Sequence, residues 1–402
     1  MSIALVSDAG IESAQSWGPA ARAERVVAEV AARWAVDVDR DARFPQEAID
    51  ALRDQRLLSC AVPPELGGEG ATLRELCTIA RTLGRHCAAT AMVFAMHQTQ
   101  ILSLVRHPGG DGVTAFLRDV VAGQFLLASA TTELGIGGDV RRSTCAVEQS
   151  GGVVSLVKNA PVISYGEYAD AILATARRTP DSPPSDQVLV VCRRADVTLE
   201  RTGDWNTLGL RGTCSPGFVL RATTTPDLVV ADSYAEISAA TMLPVSHSVW
   251  SAVWLGIADA AVEKARRYVR AAARKQPGVD SPAASRLAEA AAVHQQFSDV
   301  VFAAARRFDD ADAAPAGSPE AEVAGGVGYS LAMNNLKVTA STLAVDLVGR
   351  ALLICGIAGY REDTEYSLGR HLRDAHGAAV MINNDRIMAN SAQMATAYRG
   401  TI

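Results

Sequence analysis

Three zones follow one another along the chain, distinguished by the interval at which apolar side chains recur. Residues 20–38 (AARAERVVAEVAARWAVDV) place them three and four positions apart, which predicts an amphipathic helix. Phe44-Pro45 opens a second helix through Leu58, because proline is tolerated where the first-turn N–H has no partner. The stretch PPELGGEG at 63–70 predicts a loop. Residues 71–105 then predict one or two Ala-rich helices, with Met92, Phe94 and Met96 as a core stripe, ended by His107-Pro108-Gly109-Gly110.

From about 124 to 232 the texture changes to short runs such as QFLLASA, VVSLVK, AILATA, QVLVVC and GFVLRA, separated by turns such as TPDSPPSD. Short strands at this spacing predict a small antiparallel barrel or sandwich. The helical period returns near 236, with helices expected over 245–275, 283–310, 330–356 and 367–396 and a polar connection at 309–326. The expected division is an N-terminal helical domain over 1–123, a middle β-domain over 124–235 and a C-terminal helical bundle over 236–402. A chain of 402 residues has the length for two or three domains.

Composition narrows the choices. With 49% hydrophobic and 20% charged residues the chain carries a large core and is not a disordered one. A net charge of −6 lacks the basic surface that displaces counterions from nucleic acid, and 5% aromatics supply few stacking platforms. Seven scattered cysteines without a CxxC or a Cys/His cluster read as reduced thiols of a cytoplasmic protein, with no metal site. The N-terminus has no basic segment ahead of an apolar one, and no run of about 18 apolar residues free of charge is expected, so neither a signal peptide nor a membrane partner is predicted.

Four local sequences, in order, carry a resemblance. AVPPELGGEGATLRELCTIARTLGRHCAATA resembles the N-terminal domain of acyl-CoA dehydrogenases. Ala130 to Asp139 (ATTELGIGGD) is similar to the family's Thr-Glu-Pro-x-x-Gly-Ser-Asp loop, and Asp204 to Ser215 (DWNTLGLRGTCS) to its Trp-x-x-x-Gly-Met-Arg-x-Thr-x-Ser segment. Cys355 to Tyr360 (CGIAGY) with Leu372-Arg373-Asp374-Ala375 resembles its Gly-Gly-x-Gly-Tyr and Arg-Asp signatures. The resemblance implies a helical domain, a β-domain and a four-helix bundle holding FAD, assembled as a dimer or tetramer. Thr132 matches a threonine that reaches the flavin ring, and Gly135, Gly137 and Gly138 let backbone N–H groups approach a pyrophosphate. Ile163 and Ser164 match the pair beside the flavin, with Val162 where the family usually has tryptophan. Arg274 matches an arginine that pairs with the pyrophosphate across a subunit interface, although Pro277 replaces the aromatic residue that usually follows; Asn384 is also counted with the cofactor-binding residues.

The chain departs from the family at its base. Dehydrogenating a thioester needs a carboxylate to take the α-proton, and the two places for it are Ile382 and Ser246, neither acidic. The family's neighbouring arginine is His247, and Ser246, His247, Ile382 and His97 are the expected substrate-pocket residues. Asp385 is a candidate base, set against its reading as a residue favoured by a helix N-terminus. His97, on an apolar helix, is a candidate catalyst set against a satisfied core histidine. Flavin monooxygenases of this fold lack the glutamate and place histidine and serine by the flavin, which suits His97 with Ser164 and would allow FMN. Three functions therefore stand open: dehydrogenation of a CoA- or carrier-bound acyl thioester with a non-standard base, flavin-dependent oxygenation or oxidation of a small organic substrate, and a non-catalytic member paired with an active subunit.

Overall fold

The computed structural model describes residues 17–137, 139–275, 281–315, 318 and 326–399. The first 107 of these comprise Pro19–Arg22, a π-type turn at Ala23–Val27, α1 (Ala28–Arg40), α2 (Gln46–Asp54), α3 (Leu73–His86), α4 (Ala88–Arg106) and α5 (Asp111–Gly123). Thr72 and Glu75 cap α3 reciprocally, each side chain bonded to the other's backbone N–H. The single extended residue Cys87 breaks 71–105 into α3 and α4. α4 is buried nearly all round, its polar His97, Gln98, Thr99 and Gln100 included, so it is a helix surrounded by protein.

The β-domain holds β1 (Leu127–Ala130), β2 (Glu148–Ser150), β3 (Val153–Ala160), β4 (Ala171–Arg177), β5 (Gln187–Arg193), β6 (Val197–Arg201) and β7 (Phe218–Thr224). They form two sheets, ordered β1-β4-β5 and β2-β3-β7-β6. All pairs are antiparallel except β1 with β4, which run parallel. β4 is buried along nearly its whole length because it is the central strand of its sheet, whereas β3 alternates.

The bundle comprises α6 (Leu243–Lys275), α7 (Pro282–Ala313), α8 (Val327–Cys355), α9 (Gly369–Val380) and α10 (Asn384–Ala397). The run expected over 367–396 divides here, because Ile382 adopts a left-handed conformation (φ 53°) and Asn383 caps α10. α3 and α6 cross with a glycine on each side. A Cβ on Gly84 would lie 2.6 Å from the Val253 carbonyl oxygen, and one on Gly256 would lie 2.3 Å from that of Arg81. The same crossing is fixed by Arg81, whose Nε and Nη2 donate to Asp259 at 2.7 and 3.0 Å.

Two helices, α4 and α8, are long and apolar enough to cross a membrane, contrary to the expectation from the sequence. The apolar window of α4 is 89% buried within the protein, so its hydrophobicity serves the core. α8 carries the fully buried Lys337. All seven cysteines are unpaired thiols, and among the described residues no His/Cys/Asp/Glu group is placed to hold a metal.

Candidate functional site

Three segments come together where the β-domain meets the bundle, joined by hydrogen bonds from Thr132 to Val162 and from Arg386 to Gly137. The first is the loop after β1. Its Thr132 hydroxyl donates to the Val162 carbonyl at 3.1 Å, which sets the loop beside residues 162–164. Glu133 turns inward, accepting from Ser143 Oγ (2.7 Å), the Cys145 amide (2.8 Å) and the Lys158 ammonium (3.2 Å). Burial opposes its ionisation, but these bonds, that from Thr144 and the lysine charge hold its carboxyl below the usual range. Gly135 and Gly137 have φ of +89° and +57°. Nothing lies within 4 Å of a Cβ at either, so the backbone conformation alone calls for glycine. Among the described residues the Gly135, Ile136 and Gly137 amides donate to no protein acceptor. Positive-φ glycines and uncommitted N–H groups make an anion cradle, the donor set a pyrophosphate requires. Gly138 lies outside the described residues.

The second segment is Ile163–Tyr165. Ile163 is fully buried and Ser164 half-buried. Ser215 Oγ donates to Ser164 Oγ at 3.0 Å, and the Ser164 proton has no acceptor among the described residues. Tyr165 is left-handed and donates its amide to the Thr213 carbonyl at 2.9 Å.

The third is the turn Met381–Asn384 leading into α10. Arg386 donates to the Gly137 carbonyl, which joins this wall to the cradle. Lys337 stands behind the turn, its Nζ donating to the Ile382 carbonyl at 2.5 Å and to Asn384 Oδ1 at 2.7 Å, with the Trp254 ring 5.8 Å away. Burial lowers its pKa to about 8. Lys337 is the residue that sequence reasoning missed; its signal was a lysine inside a long apolar helix, where an unpaired charge is costly.

The expected catalytic residues need correction. His97 is sealed in the core, with Nε2–H donating to the Leu58 carbonyl at 2.6 Å and Nδ1 accepting the Leu127 amide at 3.0 Å. It therefore joins α4 to β1, leaves no nitrogen for chemistry, and burial lowers its pKa to about 4. Asp385 is exposed in the first turn of α10, its amide bonded to Asn383 Oδ1 at 2.7 Å. It occupies the place that a helix N-terminus favours for an acid. Asn384 accepts from Lys337 and donates to Ser341 at 3.0 Å, so its side chain braces the turn.

Ser246 and His247 are buried near the start of α6. Ser246 donates to the Leu243 carbonyl at 3.2 Å, and His247 Nδ1 to the Met333 carbonyl at 3.1 Å. Burial, with the Lys337 charge adding to it, lowers the His247 pKa to about 4. Arg274 is exposed in the last turn of α6, with no partner among the described residues; Pro277 lies outside them.

Comparison with known proteins matches residues 20–124 to the acyl-CoA dehydrogenase N-terminal domain and 238–395 to the acyl-CoA dehydrogenase C-terminal domain. Cyclohex-1-ene-1-carbonyl-CoA dehydrogenase of Syntrophus aciditrophicus (strain SB) is 24% identical over 90% of this chain and 84% of its own. A probable FMNH2-dependent monooxygenase, SfnC of Pseudomonas putida, is 25% identical over 89% of each. Among solved structures, FMN-bound TdsC from Paenibacillus sp. A11-2 superposes with a TM-score of 0.80 at 21% identity, covering 94% of this chain and 98% of that one.

Proposed function

The chain belongs to the acyl-CoA dehydrogenase family and is a flavin oxidoreductase of that kind, and from this premise we propose that it is an oxygenase acting on a small organic substrate. One observation carries the proposal. No carboxylate stands at the two places for a base: Ile382 and Ser246 occupy them, Asp385 points its element's first turn to solvent, and the buried ammonium of Lys337 backs the turn. An isoleucine cannot take an α-proton. The similarity to SfnC and to TdsC supports the same reading.

The residues present fit a flavin. The amides of Gly135, Ile136 and Gly137 would bind its phosphate, the Thr132 and Ser164 hydroxyls would orient the ring edge, and Val162 with Ile163 would wall one face. Bound there, FAD or FMN supplies two-electron redox chemistry. Lys337 fixes the facing turn and thereby the substrate's floor. Acyl-thioester dehydrogenation is the second reading, favoured by the similarity to the cyclohexenoyl-CoA enzyme over nine-tenths of this chain.

Both readings take the protein to be a cytoplasmic homo-oligomer, dimer or tetramer. The exposed apolar residues Leu353, Ile357 and Tyr360, 67–74% accessible in one protomer, support that assembly, which light scattering would measure. The deciding experiment is anaerobic: reconstitute with FAD or FMN, record the spectrum, and add a panel of acyl-CoAs. An unbleached flavin, with product formed only after reduction and admission of oxygen, is expected. Bleaching by a thioester would replace the oxygenase reading with the dehydrogenase one.

A further inference from the structure

Two of the seven non-glycine residues with positive φ among those described lie in the site segments, Tyr165 (43°) and Ile382 (53°), and two more, Leu210 (51°) and Cys214 (42°), flank the turn that Tyr165 bonds to. Left-handed backbone costs such residues roughly 1–2 kcal/mol each, so something must hold them. For Leu210 the holder is Asp374, whose Oδ1 accepts the Leu210 amide at 2.7 Å, 164 residues away in the chain. A short 3-10 turn, Arg211–Thr213, follows. The Leu210 carbonyl accepts both the Thr213 amide (3.1 Å) and the Thr213 hydroxyl (3.0 Å). Thr213 Oγ1 lies 2.9 Å from Ser215 Oγ, and the one Ser215 proton goes to Ser164 Oγ at 3.0 Å, with the Thr213 carbonyl the longer acceptor at 3.2 Å. Thr213 and Ser215 are buried, so no bulk water competes for these hydroxyls.

We propose that Asp374 and Ser215 are positioning residues for Ser164: Asp374 holds Leu210 left-handed, the Leu210 carbonyl holds Thr213, the Thr213 hydroxyl seats Ser215, and Ser215 fills one lone pair of Ser164 so that the Ser164 proton is left for a bound partner. The inference rests on the reading of the three site segments as a flavin site. The charged and titratable groups around Asp374 are Asp39 from α1, Arg211 across the small cavity they share, and Arg370 and Arg373 on α9. Arg373 is itself paired with Asp39, and Arg370 donates to the His86 carbonyl at 3.0 Å, so none of these bonds directly to the carboxylate.

The test compares wild type, Ser215→Ala, Asp374→Asn and Asp374→Leu. In the flavin-loaded protein, Ser215→Ala should bind FAD or FMN about five-fold more weakly and shift the flavin absorption band, while Asp374→Asn, which keeps an acceptor for Leu210, should match wild type. A Ser215→Ala protein with wild-type affinity and spectrum would overturn the proposal. If the wild type takes up neither flavin, it is the flavin reading that fails. The positioning is then read in the flavin-free protein by amide exchange. Asp374→Leu should speed exchange at Leu210 at least ten-fold and Asp374→Asn should not; equal protection in both would overturn the proposal. Should Asp374→Leu fail to fold, faster exchange at Tyr165 in Ser215→Ala supports it and unchanged exchange overturns it.

Discussion

Lys337 donates to the main-chain carbonyl of Ile382, at 2.5 Å, across 45 residues of sequence. The contact places a buried ammonium directly behind the residue that stands where the family's glutamate is expected. Both of its acceptors are neutral, so the ammonium is solvated by the protein but not neutralised by it.

Lys337→Met should loosen the turn. The Ile382 carbonyl and Asn384 Oδ1 would lose their donor, at a cost of about 1–3 kcal/mol. The sign of the pH dependence is also fixed. Burial lowers the folded-state pKa to about 8 from 10.5, so the unfolded chain binds more protons between those values. This group's contribution to stability therefore rises as pH climbs from 8 to 10.5. Thermal melts over that window should show the rise in wild type and its loss in Lys337→Met.

Ile382 itself is strained, with a β-branched side chain at φ 53° and 44% exposed. Asparagine tolerates this conformation far better. Ile382→Asn should raise stability by about 1 kcal/mol in urea titration. A loss of stability would mean that the isoleucine side chain contributes packing that outweighs its backbone strain.

His97→Leu should be costly and chemically silent. It removes the partner of the Leu58 carbonyl and of the Leu127 amide, both buried, at about 2–4 kcal/mol in total. The flavin spectrum of the surviving folded protein should match wild type. Because burial lowers the folded pKa to about 4 from 6.5, His97 favours the folded state above pH 6.5, and that contribution falls away as pH drops toward 4.

Asp374 has the opposite sign. Burial raises its carboxyl to about 6 from 3.8, although the Leu210 amide and nearby arginines pull it down. The folded state thus binds the extra proton, and this group's contribution to stability falls as pH rises from 3.8 to 6. Asp374→Asn should remove that slope in melts recorded between pH 4 and 6.5.

Much of this architecture was legible in the hydrophobic period. The helices at 245–275 and 283–310 fall within a few residues of α6 and α7, because long amphipathic helices advertise themselves over many turns. The break before α10 was not legible. It depends on a left-handed isoleucine, a residue type that ordinarily argues against such a turn, and is held by Lys337 from another helix. The role of His97 was hidden for a similar reason. Both its partners are backbone groups, the Leu58 carbonyl and the Leu127 amide, and main-chain partners leave no mark on side-chain identity. The parallel pairing of β1 with β4 escaped as well, since alternation reports which face a residue takes and not the direction of its neighbour. Lys337 had a visible signal, a charge within an apolar helix, but its destination required the fold.

The inward orientation of Glu133 has an evolutionary corollary. With that carboxylate committed to Ser143, Cys145 and Lys158, the polar groups its loop leaves uncommitted are the amides from Gly135 to Gly137. Peptide groups survive any substitution at Leu134, and any but proline at Ile136. Drift at those two positions can reshape the surroundings of the loop, while its uncommitted amides are inherited unchanged.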